Sequence, residues 1–95
     1  MRGDERKHDA DKPPWDLLPW GEVQKIVEVM RYGAEKYGIY SWKDIDNPRA
    51  RYFAAAIRHL AAWKEGEDFD EESELSHLAH AATNIIFLLN FEKED

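Results

Sequence analysis

The sequence predicts an all-α domain on three observations. Apolar residues recur every three or four positions in three separate stretches, Pro and Gly fall at the ends of those stretches, and nothing shows the strict alternation of a half-buried strand. The first stretch runs from about Pro19 to Tyr37, with Trp20, Val23, Ile26, Val27, Met30, Ala34 and Tyr37 in amphipathic register and Gly38 as its stop. Gly33 inside it costs about 1 kcal/mol relative to Ala, which predicts a close approach of a ligand or a neighbouring helix to its backbone. Glu28, Arg31 and Glu35 share one face as a surface charge ladder. A second helix begins at Asn47-Pro48, a cap followed by proline in the first turn, and runs to about Glu65 before Gly66. Its alanines at 54, 55, 56, 61 and 62 predict a central helix with close neighbours. For the third helix, Asp70 is the expected cap, with Glu71, Glu72 and Glu74 in a first turn that favours negative charge. Leu75, Leu78, Ala82, Ile85 and Leu89, flanked by Ala79 and Ile86, form its expected core stripe, and it ends near Phe91.

Around these helices the chain divides into a charged tail over 1–11, one helical domain over 12–91 and a polar tail over 92–95. Lys12 to Pro19 combines three prolines with Trp15, Leu17 and Leu18, an extended segment expected to pack across the helices. Ile39 to Asn47 reads as a loop presenting Tyr40 and Trp42. A chain of 95 residues can bury only about 60–65% of its unfolded surface. Together with four Trp, four Tyr and four Phe, that small core predicts a bundle completed by homo-oligomerisation.

Charge narrows the partners. A net charge of -7 argues against a protein that binds DNA or RNA backbones, whereas a small anionic ligand needs only one or two local Arg or Lys residues, or a metal. There is no cysteine, hence neither disulfides nor thiolate metal sites. No apolar run approaches the roughly 18 residues of a membrane span, so no membrane partner is expected and the cytoplasm is the default location.

Two polar strips run beside the expected core. On the third helix His77 and Asn84 nearly eclipse, with Glu74 and His80 flanking; on the second, Tyr52, Ala56, His59 and Trp63 align, with Arg58 one step away. Facing each other, the strips would form a nucleotide pocket in which Trp63 or Tyr52 stacks on the base, Arg58 meets phosphate and Asn84 reads a polar edge. The bland alternative is that these groups satisfy one another or helix ends. The acidic residues from Glu67 to Glu74 likewise suit either a divalent cation or a solvated helix start.

The run RYGAEKYG, the tryptophan at 42, YFAAAIRHLAAWKEGEDFDEES and HLAHAATN together resemble a family of short tailed-phage proteins, the dATP/dGTP diphosphohydrolase N-terminal domain. The resemblance covers roughly Lys12 to Leu89, and it is most specific at Arg58-His59-Leu60, Trp63, Gly66-Glu67, Asp70, Glu72-Ser73, His77-Leu78, His80 and Asn84. It implies release of pyrophosphate from purine deoxynucleoside triphosphates and a distant likeness to the all-α pyrophosphohydrolases of the MazG type. Those enzymes hold magnesium with Glu-x-x-Glu and Glu-x-x-Asp pairs, because closely spaced metal ions neutralise the triphosphate and activate the attacking water. Here Glu74-x-x-His77 stands where the second pair belongs, and Arg58-His59 where other acidic ligands belong. The resemblance also implies glycine at the position held by Glu74.

Three readings follow. In the first, the chain is a pyrophosphohydrolase using Mg2+ or Mn2+: Glu67, Asp70, Glu71 and Glu74 hold the metal, Glu67, Asp70 and Glu71 also serve catalysis, and Tyr52, Arg58, His59, Trp63, His77, His80 and Asn84 bind the nucleotide. In the second it resembles the small phage sponges that sequester cyclic nucleotide signals of bacterial immunity without cleaving them, and it needs no cofactor. In the third it is a helical oligomerisation module.

Overall fold

The computed structural model describes residues 11–93, so most of the expected N-terminal tail and the last two residues lie outside it. The fold is all-α: α1 spans Trp20–Tyr37, α2 spans Pro48–Lys64 and α3 spans His77–Asn90. Short 3-10 turns occupy Trp15–Leu17 and Ser41–Lys43. The α2 and α3 helices form the main pair, and α1 lies against α3. Contacts fix the pair as antiparallel, since Tyr52 meets Phe87 and Phe91 at one end while His59 meets His77 and His80 at the other.

Helix ends follow local chemistry. Gly38 closes α1, its N–H donating to the Ala34 carbonyl at 2.8 Å. At the end of α2, Gly66 adopts φ 104°, a left-handed conformation that favours glycine, and Glu67 N–H turns back to the Ala62 carbonyl at 3.1 Å. That closure delivers Glu67 to the α2–α3 seam. Asn47 stands at the start of α2 as expected, but it caps without a side-chain bond and has φ 52°.

The third helix departs from expectation. It begins only at His77, capped by Ser76, whose hydroxyl accepts the Ala79 N–H. Asp70 instead caps a turn, accepting the Ser73 N–H at 2.8 Å. Phe69 and Ser76 form an isolated antiparallel bridge, and Asp70 N–H reaches the Leu75 carbonyl. An aspartate accepting an N–H three residues on serves a turn as well as a helix N-terminus, which is why the sequence alone favours the wrong one. Glu74 has φ 63°, which costs an L-residue roughly 1–2 kcal/mol and gives a physical reason for glycine there. Glu74→Gly is therefore expected to raise the melting temperature by a few degrees in thermal denaturation.

Three packing expectations are also corrected. The larger residues of the stripe expected as core point outward, with Leu78, Ile85, Ile86 and Leu89 exposed, whereas Leu75 and Ala82 are half-buried and Ala79 is buried as expected, beside buried His77, Ala81, Thr83 and Asn84. Periodicity finds an apolar face but not its partner, and the small side chains of Ala56, Ala79 and Ala81 permit the close approach that larger ones forbid. Trp15, Leu17 and Leu18 are exposed rather than folded across the helices. A Cβ at Gly33 would meet nothing within 4 Å beyond its own helix, so no neighbour among the described residues explains this glycine. On α1, Arg31 pairs with Glu28, as the charge ladder requires.

Candidate functional site

At the His59 end of the pair the structure gathers three imidazoles and a carboxylate. His59 and His77 face each other through Nδ1 atoms 2.9 Å apart, so one ring donates and the other accepts. His80 stacks on His59 with ring centroids 4.5 Å apart and planes 8° from parallel. Asp70 completes the group: among the described residues, His59, Asp70 and His77 form the one set of three or more metal-ligating side chains whose donor atoms all lie within 4.8 Å of one another.

The surroundings fix these groups. His80 Nε2 shares a 2.7 Å hydrogen bond with the Ser73 hydroxyl, and the Tyr32 ring of α1 meets the His80 ring edge-on at 6.5 Å. Tyr32 donates to Glu72 at 2.6 Å, and Glu72 also pairs with Lys36, so the acidic loop is tied to α1 beside the imidazoles. Sequence reasoning missed Ser73 and Tyr32 as supports; an Asp-x-x-Ser turn was the available signal for Ser73, and nothing local marked Tyr32. The buried His77 ring leaves its Nε2 without a hydrogen bond, although a Glu67 carboxylate oxygen lies 3.4 Å away. The two groups are neighbours, but the geometry is too poor for a hydrogen bond.

Burial favours the neutral form of two of the rings. Burial, reinforced by His80 and His77, lowers the His59 pKa to about 4, and burial also lowers that of His80. Burial opposes ionisation of Asp70, but hydrogen bonds from the Ser73 backbone and hydroxyl, with His80 and His59 nearby, hold its carboxyl below the usual value. At neutral pH the site therefore sets the neutral imidazoles of His59 and His80 beside an ionised Asp70 carboxylate, groups suited to a cation and its anionic ligand.

The other expected site residues are distributed more widely. Arg58 and Trp63 are exposed on α2 near His59. Asn84 is buried, its amide donating to the His80 carbonyl at 2.9 Å. Tyr52 lies at the opposite end, donating to the Trp42 carbonyl at 2.7 Å and packing on Phe87. Trp42 stacks on Phe87 at 4.4 Å, which makes this pair of rings part of the packing that joins the loop to α3. Of the four carboxylates expected to hold magnesium, Asp70 belongs to the histidine group and Glu67 to its margin. Glu71 is exposed, and Glu74 lines a shallow cleft of about 180 Å³ with Lys25, Glu28 and Phe69.

Over residues 2–95 the sequence matches the family described as dATP/dGTP diphosphohydrolase, N-terminal. A protein of Salmonella phage PMBT28 named dATP/dGTP diphosphohydrolase is 30% identical over 82 residues, covering 86% of this chain and 28% of that protein. This chain thus spans less than a third of its relative's length. No solved structure matches it. No helix among the described residues is long and apolar enough to cross a membrane. With both helices of the histidine seam and the loop between them inside the matched region, the chain belongs to the dATP/dGTP diphosphohydrolase N-terminal family.

Proposed function

We propose that this chain binds a purine deoxynucleoside triphosphate at the α2–α3 histidine seam and hydrolyses it to monophosphate and pyrophosphate, with Mg2+ or Mn2+ entering with the triphosphate. The observation that supports the site is the convergence of His59, His77, His80 and Asp70 beside exposed Arg58 and Trp63. The substrate class rests on the name of the phage relative. In the reaction water attacks the α-phosphorus, the bond from that phosphorus to the bridging oxygen breaks, and pyrophosphate leaves. Arg58 offers a guanidinium to the phosphates and Trp63 a ring face to the base.

A second reading, sequestration of a linear or cyclic nucleotide without cleavage, is favoured by one observation: the acidic residues expected to hold magnesium do not converge as a group. Incubating the chain with dATP, dGTP and cyclic dinucleotides, with and without Mg2+ or Mn2+, then denaturing it and analysing the nucleotides, separates the two. Monophosphate plus pyrophosphate is the expected result. Nucleotide that is depleted and then returned intact on denaturation supports sequestration, and no depletion or turnover overturns both.

We propose further that the chain is a homo-oligomer in solution, a second copy covering the outer face of α3. Leu78, Ile85, Ile86 and Leu89 give that helix an exposed apolar face in addition to the side that α2 covers, a pattern typical of a helix enclosed on both sides. Light scattering is expected to give a multiple of the chain mass, and a monomer at micromolar concentration overturns this part.

A further inference from the structure

We propose that His59, Asp70 and His77 form a resident site for one divalent transition-metal ion of the zinc and cobalt class, distinct from a magnesium ion carried in by a triphosphate. The inference does not rest on the nucleotide reading. Its first support is the donor set, two imidazoles and one carboxylate with donor atoms all within 4.8 Å. Imidazole nitrogen suits zinc, cobalt and related ions, whereas Mg2+ prefers oxygen ligands and retains its waters.

The second support is the state of the His77 ring, only 5% exposed. Two imidazole Nδ1 atoms that face each other at 2.9 Å hold one proton between them. An ion bound by both nitrogens replaces that proton. Tetrahedral bonds of 2.0–2.1 Å place two ligand nitrogens about 3.3 Å apart, a few tenths of an ångström from the separation already present. With Nδ1 on the ion, the His77 proton resides on Nε2, the buried atom that lacks a hydrogen bond and lies 3.4 Å from the Glu67 carboxylate. A carboxylate behind a metal-bound histidine is a recurring arrangement that orients the ring and strengthens it as a ligand. The orphaned nitrogen and the nearby Glu67 thus acquire one common explanation.

The remaining ligand atoms are held in place without the ion. Ser73 N–H fixes the Asp70 carboxylate, and the N–H of His77 donates to the Asp68 carbonyl at 2.9 Å, anchoring the start of α3. Three protein ligands leave at least one coordination position for water or a phosphate oxygen.

The test uses the full chain, stripped with chelator and titrated with Zn2+ by calorimetry and with Co2+ by visible absorption. The expected result is one ion per chain with a micromolar or tighter Kd, undiminished by millimolar Mg2+, and a rise in melting temperature of about 10 °C at a hundredfold excess over Kd. His59→Gln, Asp70→Asn and His77→Gln are each expected to weaken Zn2+ binding at least about 100-fold, and Glu67→Gln about 10-fold. Circular dichroism selects the variants that remain folded, and the Co2+ spectrum of the unaltered chain reports nitrogen and oxygen ligation independently of any variant. Absence of Zn2+ binding by the folded chain overturns the proposal. So does a loss with Glu71→Gln equal to that with Asp70→Asn, which would place the ion on the acidic loop.

Discussion

Ala81→Leu is expected to lower the melting temperature by about 10 °C, the largest loss from any single added side chain in this fold. Ala81 is 2% exposed on α3 and Ala56 4% exposed on α2, and in the antiparallel pair both fall between the Tyr52–Phe87 and His59–His77 contacts. With both alanines almost fully covered, added methyl groups at that level push the helices apart or the side chains out of their rotamers, at about 1–3 kcal/mol. In a domain of this size each kcal/mol shifts the midpoint by roughly 4–8 °C. Because the same separation pulls His59 from His77, the variant is also expected to weaken whatever the histidine seam binds. A midpoint unchanged in thermal denaturation would mean that the helices do not meet at these alanines.

Acid is expected to weaken the metal-free chain at pH values above those at which ordinary carboxylates titrate. The folded pKa of His59 is lowered to about 4 and that of His80 is also lowered, both chiefly by burial. The unfolded chain, with ordinary imidazoles near 6.5, takes up protons first. This contribution to stability is therefore complete above about pH 6.5 and is lost as pH falls toward 4. His77, His80 and Arg58 add positive charge against protonation of His59, and Asp70 opposes them. Discounted for the water that reaches a half-buried ring, the loss amounts to about 1–2 kcal/mol. Urea midpoints measured in the presence of chelator from pH 7.5 to 4 check it, and His59→Gln is expected to flatten the profile. A midpoint that is constant across that range contradicts the neutral, buried state of the rings.

Much of this architecture was legible in the sequence where a local rule governs. Pro48, Gly38 and Gly66 mark helix ends through backbone conformations and missing donors, and those ends stand where the residues place them. The eclipsed spacing of His77 and Asn84 likewise identified a common face, and both residues are buried together. What sequence could not supply was the choice between equivalent local solutions. Asp70 caps a turn by the same bond with which it would cap a helix, so its side chain alone does not distinguish a helix start there from the observed start at His77. Leu78, Ile85 and Leu89 make an apolar stripe whether or not α2 covers it, and the seam instead closed over alanines and histidines that satisfy one another. Tyr52 shares a helical face with His59, yet seven residues of rise separate them by about 10 Å, enough to place one in the aromatic packing and the other in the site. The acidic run from Glu67 to Glu74 looked like a single ligand set because its residues are adjacent in sequence. Its backbone reverses in one turn between Asp70 and Leu75, with Glu74 at φ 63°, which sends neighbouring carboxylates to different surroundings.

A nucleotide bound at the histidine seam lies against the imidazoles and beside Trp63. Histidine and tryptophan side-chain resonances followed by NMR during titration with dGTP test it most directly. His59, His77, His80 and Trp63 are expected to shift together on one binding curve, and Arg58→Ala to weaken that curve at least tenfold, about 1.4 kcal/mol. Shifts confined to Trp15 and Trp20, or no shift at any histidine, would contradict it.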